Sequence, residues 1–489
     1  MNTWQAIWDF IKEWYWIPML LIYAGIIITI VSENRNPSKS LAYILVLIFL
    51  PVIGLLVYYF VGRKPVFKKP IFDRKQLIDR IKMQQYYEQL KPQMEERLQL
   101  LEQDIGDMAF PFRYLYYQNQ SLISTGNAVT LLNNGEEKFP ALFKALENAQ
   151  SHIHLEYYIF TADDVGNRIA NILIKKHREG VEVRVIIDDA GSNHISNIPK
   201  KFKEAGIVLL KTMPVAFSSL ANSNYRNHRK IVVIDGCVGF IGGINLDERY
   251  WNNGKHKLYW RDTAIRIEGP AVNLLQVQFQ LSWFFAGGKD DFGEEGRYFK
   301  IPQEKKGKAV VAIAASGPSS EAPFIMEMII LAISQAKKTI RICTPYFIPP
   351  DPLTSALVIA AANGIKVELI LPAKSDSFIV QHASFSFIKP LLERGVRVYL
   401  YEKGFIHAKT MSIDSSLAFV GTVNMDTRSF YLNFEITSII YEATLCNALE
   451  DSFEQDKQSS RLVTLEGWQS RPAIQRGFDS VCRLVAPLL

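Results

Sequence analysis

The sequence predicts an α/β protein of two similar halves, each a mixed sheet flanked by helices. An approximate two-fold axis relates the halves, and a transmembrane helical hairpin precedes them. Three observations predict this class: two long uncharged runs open the chain, one motif recurs after 179 residues, and strand-like segments alternate with helix-like ones around both copies. With 48% hydrophobic and 21% charged residues, the 489-residue chain is too apolar for a disordered protein and too charged for a polytopic transporter.

The first predicted element is the hairpin, at residues 1–62. Residues 14–32 and 40–62 contain no charged side chain. As helices these runs would reach roughly 28 and 34 Å at about 1.5 Å per residue, enough to cross a hydrocarbon core of about 30 Å. The short polar stretch at 33–39 therefore predicts two antiparallel spans. A re-entrant or buried pair of helices is the alternative interpretation.

A basic and amphipathic connector follows at residues 63–109. Residues 63–82 hold eight basic and two acidic side chains, so their net charge of +6 equals that of the whole chain. Basic residues beside a span mark its cytoplasmic end, so we expect a multi-pass cell-membrane protein with two spans and a cytoplasmic catalytic body. The cluster would also attract anionic membrane lipid, although a solvated linker is an equally good interpretation. The neutral remainder argues against a nucleic-acid partner.

A repeated motif defines two halves, predicted at residues 110–300 and 301–489. The first copy contains His228, Lys230, Asp235, Gly242 and Asn245, and the second contains His407, Lys409, Asp414, Gly421 and Asn424. Each copy follows a similar succession of strands and helices, so we expect the halves to pack with both motifs in one cleft. The second half ends in an amphipathic segment at 466–489, which would dock on the body or lie at a lipid surface.

Each motif places a histidine and a lysine on the same face of a strand, because residues two apart in a strand point the same way. Two imidazoles and two ammonium groups around one space suit a phosphate diester. The lysines would neutralise its non-bridging oxygens, and Asn245, Asn424 and the Thr422 hydroxyl would add hydrogen bonds. Lysine is not a zinc ligand and no third ligand recurs at suitable spacing, so we expect neither a metal nor another cofactor.

The paired His-x-Lys-x4-Asp motifs, each followed by Gly-x-x-Asn, resemble the signature of the phospholipase D superfamily. Together with the N-terminal spans, three stretches are similar to those of bacterial cardiolipin synthases: His228-Arg-Lys-Ile-Val-Val-Ile-Asp235, Gly404-Phe-Ile-His-Ala-Lys409 and Asn424-Met-Asp-Thr-Arg-Ser-Phe430. The superfamily resemblance covers residues 110–489, and the family resemblance covers nearly the whole chain. It implies two phospholipase D-like halves.

The resemblance also implies a reaction, in which two phosphatidylglycerol molecules give cardiolipin and glycerol. His228 would attack phosphorus to form a phosphohistidine. His407 would protonate the leaving glycerol and then deprotonate the hydroxyl of the second lipid. The near-equivalent motifs leave the reverse assignment of the two histidines open.

The resemblance assigns roles to acidic residues as well. In the family an acidic residue downstream of each motif orients a histidine, and Asp262 and Glu435 match those positions; ordinary ion pairs are the alternative. Asp235 and Asp414 belong to the catalytic motifs, but we expect them to bond the backbone near the strand–turn junction.

Four functions remain open at this stage, with cardiolipin synthesis favoured. A phospholipase D-type hydrolase, or a phosphatidyltransferase using another alcohol, would share the histidines but favour a different acceptor. A nuclease of the superfamily is disfavoured because the body carries no net charge. A catalytically silent scaffold is disfavoured because neither motif has lost a residue. The expected partners are phosphatidylglycerol and anionic membrane lipid, without nucleic acid, and the oligomeric state stays open.

Overall fold

The computed structural model describes residues 13–14, 16–32, 37–58, 83–118, 121–214, 224–289, 297–300, 304–318 and 320–486. The basic cluster at residues 63–82 lies outside the described residues. Of the polar stretch predicted between the spans, residues 33–36 also lie outside them. The chain divides into two compact units, Met1–Val66 with Ala216–Asn224, and Phe67–Val215 with Tyr225–Leu489.

The described residues of the N-terminal unit include the helices α1 (Trp16–Ser32), α2 (Pro37–Phe49) and α3 (Pro51–Val57). The second uncharged run, predicted as one helix, is interrupted at Leu50, whose φ of −133° and ψ of 67° are not helical. Pro51 accounts for the break, because a proline ring clashes with a helical residue before it. Among the described residues, no helix combines the length and the apolar character needed to cross a membrane.

In the described part of the larger unit, two helices precede the first half of an α/β body. Its elements are α4 (Met83–Ile105), α5 (Phe110–Tyr117), β1 (Ser124–Asn133), α6 (Asn134–Glu147), β2 (His152–Tyr157), α7 (Asp164–Arg178), β3 (Glu182–Asp188), α8 (Ile198–Ala205), β4 (Val208–Thr212), β5 (Arg226–Asn227), β6 (Lys230–Ile234), β7 (Val238–Gly242), β8 (Trp260–Arg261), β9 (Thr263–Glu268) and α9 (Val272–Phe285). Strands and helices thus alternate as the sequence predicts.

The second half repeats this succession. Its elements are β10 (Ala309–Ser316), α10 (Phe324–Ser334), β11 (Thr339–Cys343), β12 (Phe347–Ile348), α11 (Asp351–Ala362), β13 (Lys366–Pro372), α12 (Phe378–Phe385), α13 (Ile388–Leu392), β14 (Arg397–Tyr401), β15 (Phe405–Ile406), β16 (Thr410–Ile413), β17 (Leu417–Gly421), β18 (Met425–Asp426), α14 (Thr427–Tyr431), β19 (Asn433–Tyr441), α15 (Ala443–Gln458), β20 (Ser460–Val463), α16 (Leu465–Gln469) and α17 (Ala473–Val485). The fold is therefore mixed α/β.

The two halves share one 16-stranded sheet. Its strand order is β20-β14-β13-β11-β16-β17-β19-β10-β1-β9-β7-β6-β2-β3-β4, with β5 beside β19. Apart from β20, the strands from β14 inwards to β10 correspond one by one to the strands from β4 inwards to β1. The two halves of the sheet join where β1 and β10 pair antiparallel. The sheet is continuous because β1 pairs with β9 of its own half and with β10 of the other.

Two very short strands cross between the halves and place the motif histidines. β5 runs parallel to the start of β19, and the N–H of His228 donates to the Phe434 carbonyl over 2.9 Å. In the same way β15 runs parallel to β8, and the N–H of His407 donates to the Arg261 carbonyl over 2.6 Å. Each histidine is therefore held against the opposite half of the sheet.

Candidate active site

His228 lies immediately before β6 and contacts a carboxylate of the other half. Its Nδ1 is 3.0 Å from Glu435 Oε1 and 3.1 Å from Oε2. Because an ionised carboxylate can only accept, the hydrogen of the imidazole lies on Nδ1 and leaves the Nε2 lone pair free. Asn433 Nδ2 donates to Glu435 Oε1 over 3.2 Å, and the Thr422 hydroxyl donates to Oε2. Glu435 is thus held in position to orient His228.

His407 has the corresponding arrangement with a carboxylate of the first half. Its Nδ1 is 2.7 Å from Asp262 Oδ2, while the other oxygen of Asp262 accepts the Thr263 N–H over 2.7 Å. Lys409 Nζ also lies 2.9 Å from His407 Nδ1. We assign the Nδ1 hydrogen to the Asp262 contact, because that contact is shorter and the carboxylate has no hydrogen of its own to donate.

The pairing of histidine and carboxylate is crossed between the halves. Each carboxylate follows one motif in the chain, yet it contacts the histidine of the other motif. The crossed strands explain this, since β5 reaches β19 next to Glu435 and β15 reaches β8 next to Asp262. Neither histidine can therefore be oriented unless the two halves are assembled.

The two lysines share the same buried space. Lys230 and Lys409 are 1% and 4% exposed, and each donates to the carbonyl of the histidine two residues before it. Burial lowers the pKa of Lys409 to about 8 and lowers the pKa of Lys230 well below its usual value. The two ammonium groups repel each other, and both are attracted by the carboxylates of Asp262 and Glu435.

The protonation of the histidines follows from the same burial. Burial lowers the pKa of His228 to about 4, and Glu435 opposes that shift. The pKa of His407 is also lowered to about 4, by burial and then by Lys409, against the pull of Asp262. Burial opposes ionisation of Glu435 as well, but His228 and Lys230 bring its pKa below the usual value. At neutral pH the free site therefore holds two neutral imidazoles beside ionised carboxylates.

The histidine and lysine of one motif act electrostatically on those of the other motif. The charge of Lys409, in the second half, lowers the pKa of His228 in the first. Conversely, the charge of Lys230 lowers the pKa of His407. A buried anion placed between the two sets would experience both lysines and both imidazoles. Among the described residues, no group of three or more His, Cys, Asp or Glu side chains could hold a metal ion.

The motif aspartates lie at the opposite end of their strands and bind backbone. Asp235 accepts from the N–H groups of Gln150, Ser151 and His152 over 2.7 to 2.9 Å. Asp414 accepts from the equivalent N–H groups of residues 337–339 over 2.7 to 2.8 Å. Since β6 separates Asp235 from Lys230 by five residues, about 16 Å of extended chain, the structure does not bring the aspartates to the imidazoles.

The predicted neutral donors take different positions. Asn245 is already bonded, because its Nδ2 donates to the Tyr250 hydroxyl over 2.8 Å and its Oδ1 accepts from Ile159 N–H over 3.3 Å. Asn424 Oδ1, in contrast, is buried without a hydrogen-bond partner among the described residues. Thr422, expected to bond a phosphate, instead directs its hydroxyl hydrogen to Glu435. Its role here is to orient that carboxylate.

Among the buried cations near the site, Lys138 is one that sequence reasoning missed. Lys138 on α6 is 2% exposed, and its Nζ donates to the Ile244 carbonyl over 2.6 Å. Burial lowers its pKa to about 7, although Asp262 attracts the ammonium group. The available signal was its position on the apolar face of α6 beside Phe139 and Leu142. A lysine on such a face requires a polar partner.

The chain matches two family descriptions. "Cardiolipin synthase, PLD-like domain" matches residues 142–283 and 329–457, and "Phospholipase_D-nuclease N-terminal" matches residues 20–63. The protein named major cardiolipin synthase of Bacillus subtilis is 38% identical over 473 residues, which are 95% of this chain and 96% of that protein. The chain belongs to the bacterial cardiolipin synthase family of the phospholipase D superfamily.

Further relatives agree with this membership. A cardiolipin synthase of Oceanobacillus iheyensis is 36% identical over 468 residues, covering 94% of this chain and 95% of that one. Among solved structures, phosphatidylserine synthase of Haemophilus influenzae is similar with a TM-score of 0.59 and 16% identity, covering 78% of this chain and 100% of the other. That likeness concerns the fold. The cardiolipin synthase family resemblance noted in the sequence is thus confirmed.

Proposed function

We propose that this enzyme transfers a phosphatidyl group between two phosphatidylglycerol molecules, forming cardiolipin and releasing glycerol. The observation that supports it most is the crossed arrangement, in which each half supplies one histidine and the carboxylate that orients the other. The membership of this chain in the cardiolipin synthase family favours phosphatidylglycerol over other phosphodiesters as the substrate.

His228 is the proposed nucleophile. Its Nδ1 hydrogen is held by Glu435, so Nε2 presents a lone pair to phosphorus, and its low pKa keeps that lone pair unprotonated at neutral pH. The new bond joins Nε2 to phosphorus, and the bond from phosphorus to the glycerol oxygen breaks. Lys230 and Lys409 neutralise the charge on the non-bridging oxygens as the transition state forms.

His407 is the proposed acid and then base. The free imidazole is neutral, but the negative charge of a bound phosphodiester favours its protonated form, which Asp262 also stabilises. The imidazolium gives its proton to the departing glycerol oxygen. The neutral imidazole then takes the proton of the second lipid's hydroxyl, whose oxygen attacks phosphorus and displaces His228. Asn424 Oδ1, buried without a hydrogen-bond partner among the described residues, is the proposed acceptor for such a hydroxyl.

The boundaries and the membrane anchor belong to the same proposal. Residues 1–62 would form two spans, residues 63–109 a connector, and 110–300 and 301–489 the two halves. The N-terminal family match supports this anchor, and the basic residues after 62 favour a cytoplasmic body. To test it, Asn34→Cys and the exposed natural Cys237 are labelled with an impermeant maleimide in intact cells. Labelling at 34 with Cys237 protected is expected, and the reverse pattern would contradict this topology.

A product assay tests the reaction itself. Membranes containing the protein and labelled phosphatidylglycerol should yield cardiolipin and free glycerol in equal amounts. His228→Ala and His407→Ala should each abolish nearly all turnover. His256→Ala is the matched control, because that histidine is exposed and its ring contacts Glu248. Phosphatidic acid as the main product would indicate the hydrolase instead.

The roles of the histidines are separated with an activated donor. A phosphatidyl ester of p-nitrophenol needs no acid to expel its leaving group, so His407→Ala should still release nitrophenolate once and accumulate a base-stable phosphohistidine. His228→Ala should remain unlabelled. The opposite labelling pattern would show that the two roles are exchanged.

A further inference from the structure

The C-terminal helix α17 presents its apolar side to solvent. Ile474, Phe478 and Val481 follow one another at the spacing of a single helix face, and Leu484 continues it. Ile474, Val481 and Leu484 are 70%, 62% and 80% exposed. A surface helix normally turns this kind of stripe towards the core, so the orientation of α17 is inverted.

Polar contacts hold α17 in this orientation. Asp479, on the opposite side of the helix, is buried and accepts from His382 Nδ1 over 2.7 Å and from an Arg471 nitrogen over 2.7 Å. Cys482 is buried on the same side. A buried carboxylate that lost these partners would be costly, so the contacts fix which side of α17 faces the body.

The exposed apolar surface continues onto helix α12. Phe378 is 60% exposed, Ile379 next to it is also exposed, and the rings of Phe378 and Phe478 lie 5.8 Å apart. We call this surface the C-terminal patch, and its members are Phe378, Ile379, Ile474, Phe478, Val481 and Leu484. Contiguous apolar side chains on two adjacent helices differ from the scattered exposed residues of ordinary surfaces and mark an interaction site.

The charges of α17 around the C-terminal patch are basic. Arg476 and Arg483 are exposed on α17, whereas the one acidic residue of that helix, Asp479, is neutralised by its ion pair with Arg471. An apolar stripe on a helix whose exposed charged residues are arginines fits the boundary between head groups and acyl chains of an anionic bilayer. In a two-fold dimer through this patch, the arginines of one copy would face those of the other. The helix α17 offers no unpaired acidic residue to balance that repulsion.

The C-terminal patch lies at the active-site edge of the sheet. Strands β11 and β13 are parallel, and Thr410 pairs with Cys343 at the end of β11, so His407 and Lys409 lie beyond that end. Helix α12 begins shortly after β13 ends at the same edge. The patch and the catalytic residues therefore open towards one side of the sheet.

We propose that the C-terminal patch docks on the surface of an anionic bilayer and holds the active-site edge against the lipids. This rests on the proposed function, in which both substrates are bilayer lipids. The patch would insert its apolar side chains among the acyl chains, while Arg476 and Arg483 contact head-group phosphates. The docking contact is separate from the N-terminal segment and is made by the catalytic body itself.

A local fluorescence probe tests the docking. The full chain carries Cys237→Ser, and the environment-sensitive dye NBD is attached through Leu484→Cys or, as a control, through Lys200→Cys, whose native side chain is 80% exposed. In vesicles containing phosphatidylglycerol, the probe at 484 should shift to the blue and be quenched by brominated acyl chains, whereas the probe at 200 should not. Equal, water-like emission at both positions would overturn the proposal.

Further outcomes distinguish other occupants. A blue shift that appears without lipid and grows with protein concentration would identify self-association and overturn lipid docking. An equal shift in purely phosphatidylcholine vesicles would overturn the role of the two arginines. None of these readings depends on turnover, so the docking surface and the proposed reaction can fail separately.

A charge-insertion variant provides the functional counterpart. Val481→Glu with Leu484→Glu should lower turnover on vesicles by about tenfold or more, because two carboxylates oppose insertion into an anionic surface. Turnover in detergent mixed micelles should be preserved, which shows that the fold and the site are intact. Lys175→Gln with Lys200→Gln, two exposed changes elsewhere that alter the net charge equally, is the matched control. Equal losses on vesicles for both variants would contradict a specific docking surface.

Discussion

The burial of the active-site lysines leads to a specific pH profile. The pKa of Lys409 is lowered from 10.5 to about 8 by burial, so its ammonium group loses a proton as pH rises through 8. Because the phosphodiester then loses a counter-charge, kcat/KM should fall about tenfold for each pH unit above that point, or about 100-fold between pH 8 and 10. The loss occurs on the alkaline side, since only the protonated lysine attracts the phosphate.

The rate should not decline on the acid side of the profile until an unusually low pH. The pKa values of His228 and His407 are lowered to about 4, so the nucleophile stays unprotonated from neutral pH down to about pH 5. An ordinary histidine would instead produce a decline near 6.5. The profile of kcat/KM is therefore expected to show no decline as pH falls from about 8 to 5.

The assay measures initial rates of cardiolipin formation in mixed micelles at substrate concentrations well below KM. Lys409→Arg should lower the overall rate but move the alkaline decline upward, because a guanidinium remains protonated. Lys200→Arg, on the exposed surface, is the control and should leave the profile unchanged. A decline that stays near pH 8 in Lys409→Arg, or a decline in the natural enzyme as pH falls from 7 to 6, would refute this reasoning.

Three further predictions concern single residues. Lys138→Met should raise the free energy of unfolding by up to about 5 kcal/mol at pH 7, since a pKa lowered from 10.5 to about 7 destabilises the folded state. Denaturant titrations should show that this gain shrinks as pH rises towards 10.5, where the unfolded lysine is also neutral. Glu435→Gln should reduce kcat per folded molecule by about 10²–10⁴-fold, because His228 loses the group that fixes its tautomer. Asp235→Ala should lower the unfolding free energy by about 2–4 kcal/mol by removing the acceptor of three N–H groups, while kcat/KM per folded molecule stays within a few-fold.

The two halves differ in ways that pairwise comparison of the motifs does not show. The N–H groups of Gln150 and Lys337 bind Asp235 and Asp414, so these two residues are equivalent in the two halves. By the same spacing before each of them, Lys138 of the first half corresponds to Ile325 of the second. The charge near Asp262 thus has no counterpart near Glu435 in the equivalent helix. Thr422 likewise stands where the first half has Gly243, and a Cβ there would meet the Asp262 carboxylate at 2.2 Å. The fold is symmetrical, but the two histidine environments are chemically distinct.

Much of the architecture could be predicted because it depends on local patterns. Alternating strand and helix signals gave the α/β class, and a fixed displacement of the motif identified two halves whose strands meet at β1 and β10. The sequence also predicts that Asp235 and Asp414 bond backbone, and the structure places both carboxylates on N–H groups. Those N–H groups are distant along the chain, so only the tertiary structure identifies them. The break at Leu50 was missed, since hydrophobicity alone does not register the proline after it.

The sequence by itself determined the family, the mixed α/β class and which histidines and lysines are repeated, because these follow from residue identity and spacing along the chain. Only the tertiary structure decided that His228 meets Glu435 and His407 meets Asp262, because the crossing strands β5 and β15 pair with the opposite half. It also decided that α17 turns Asp479 inward and its apolar stripe outward. An amphipathic pattern specifies that two sides differ, and only the buried partners specify which side is covered.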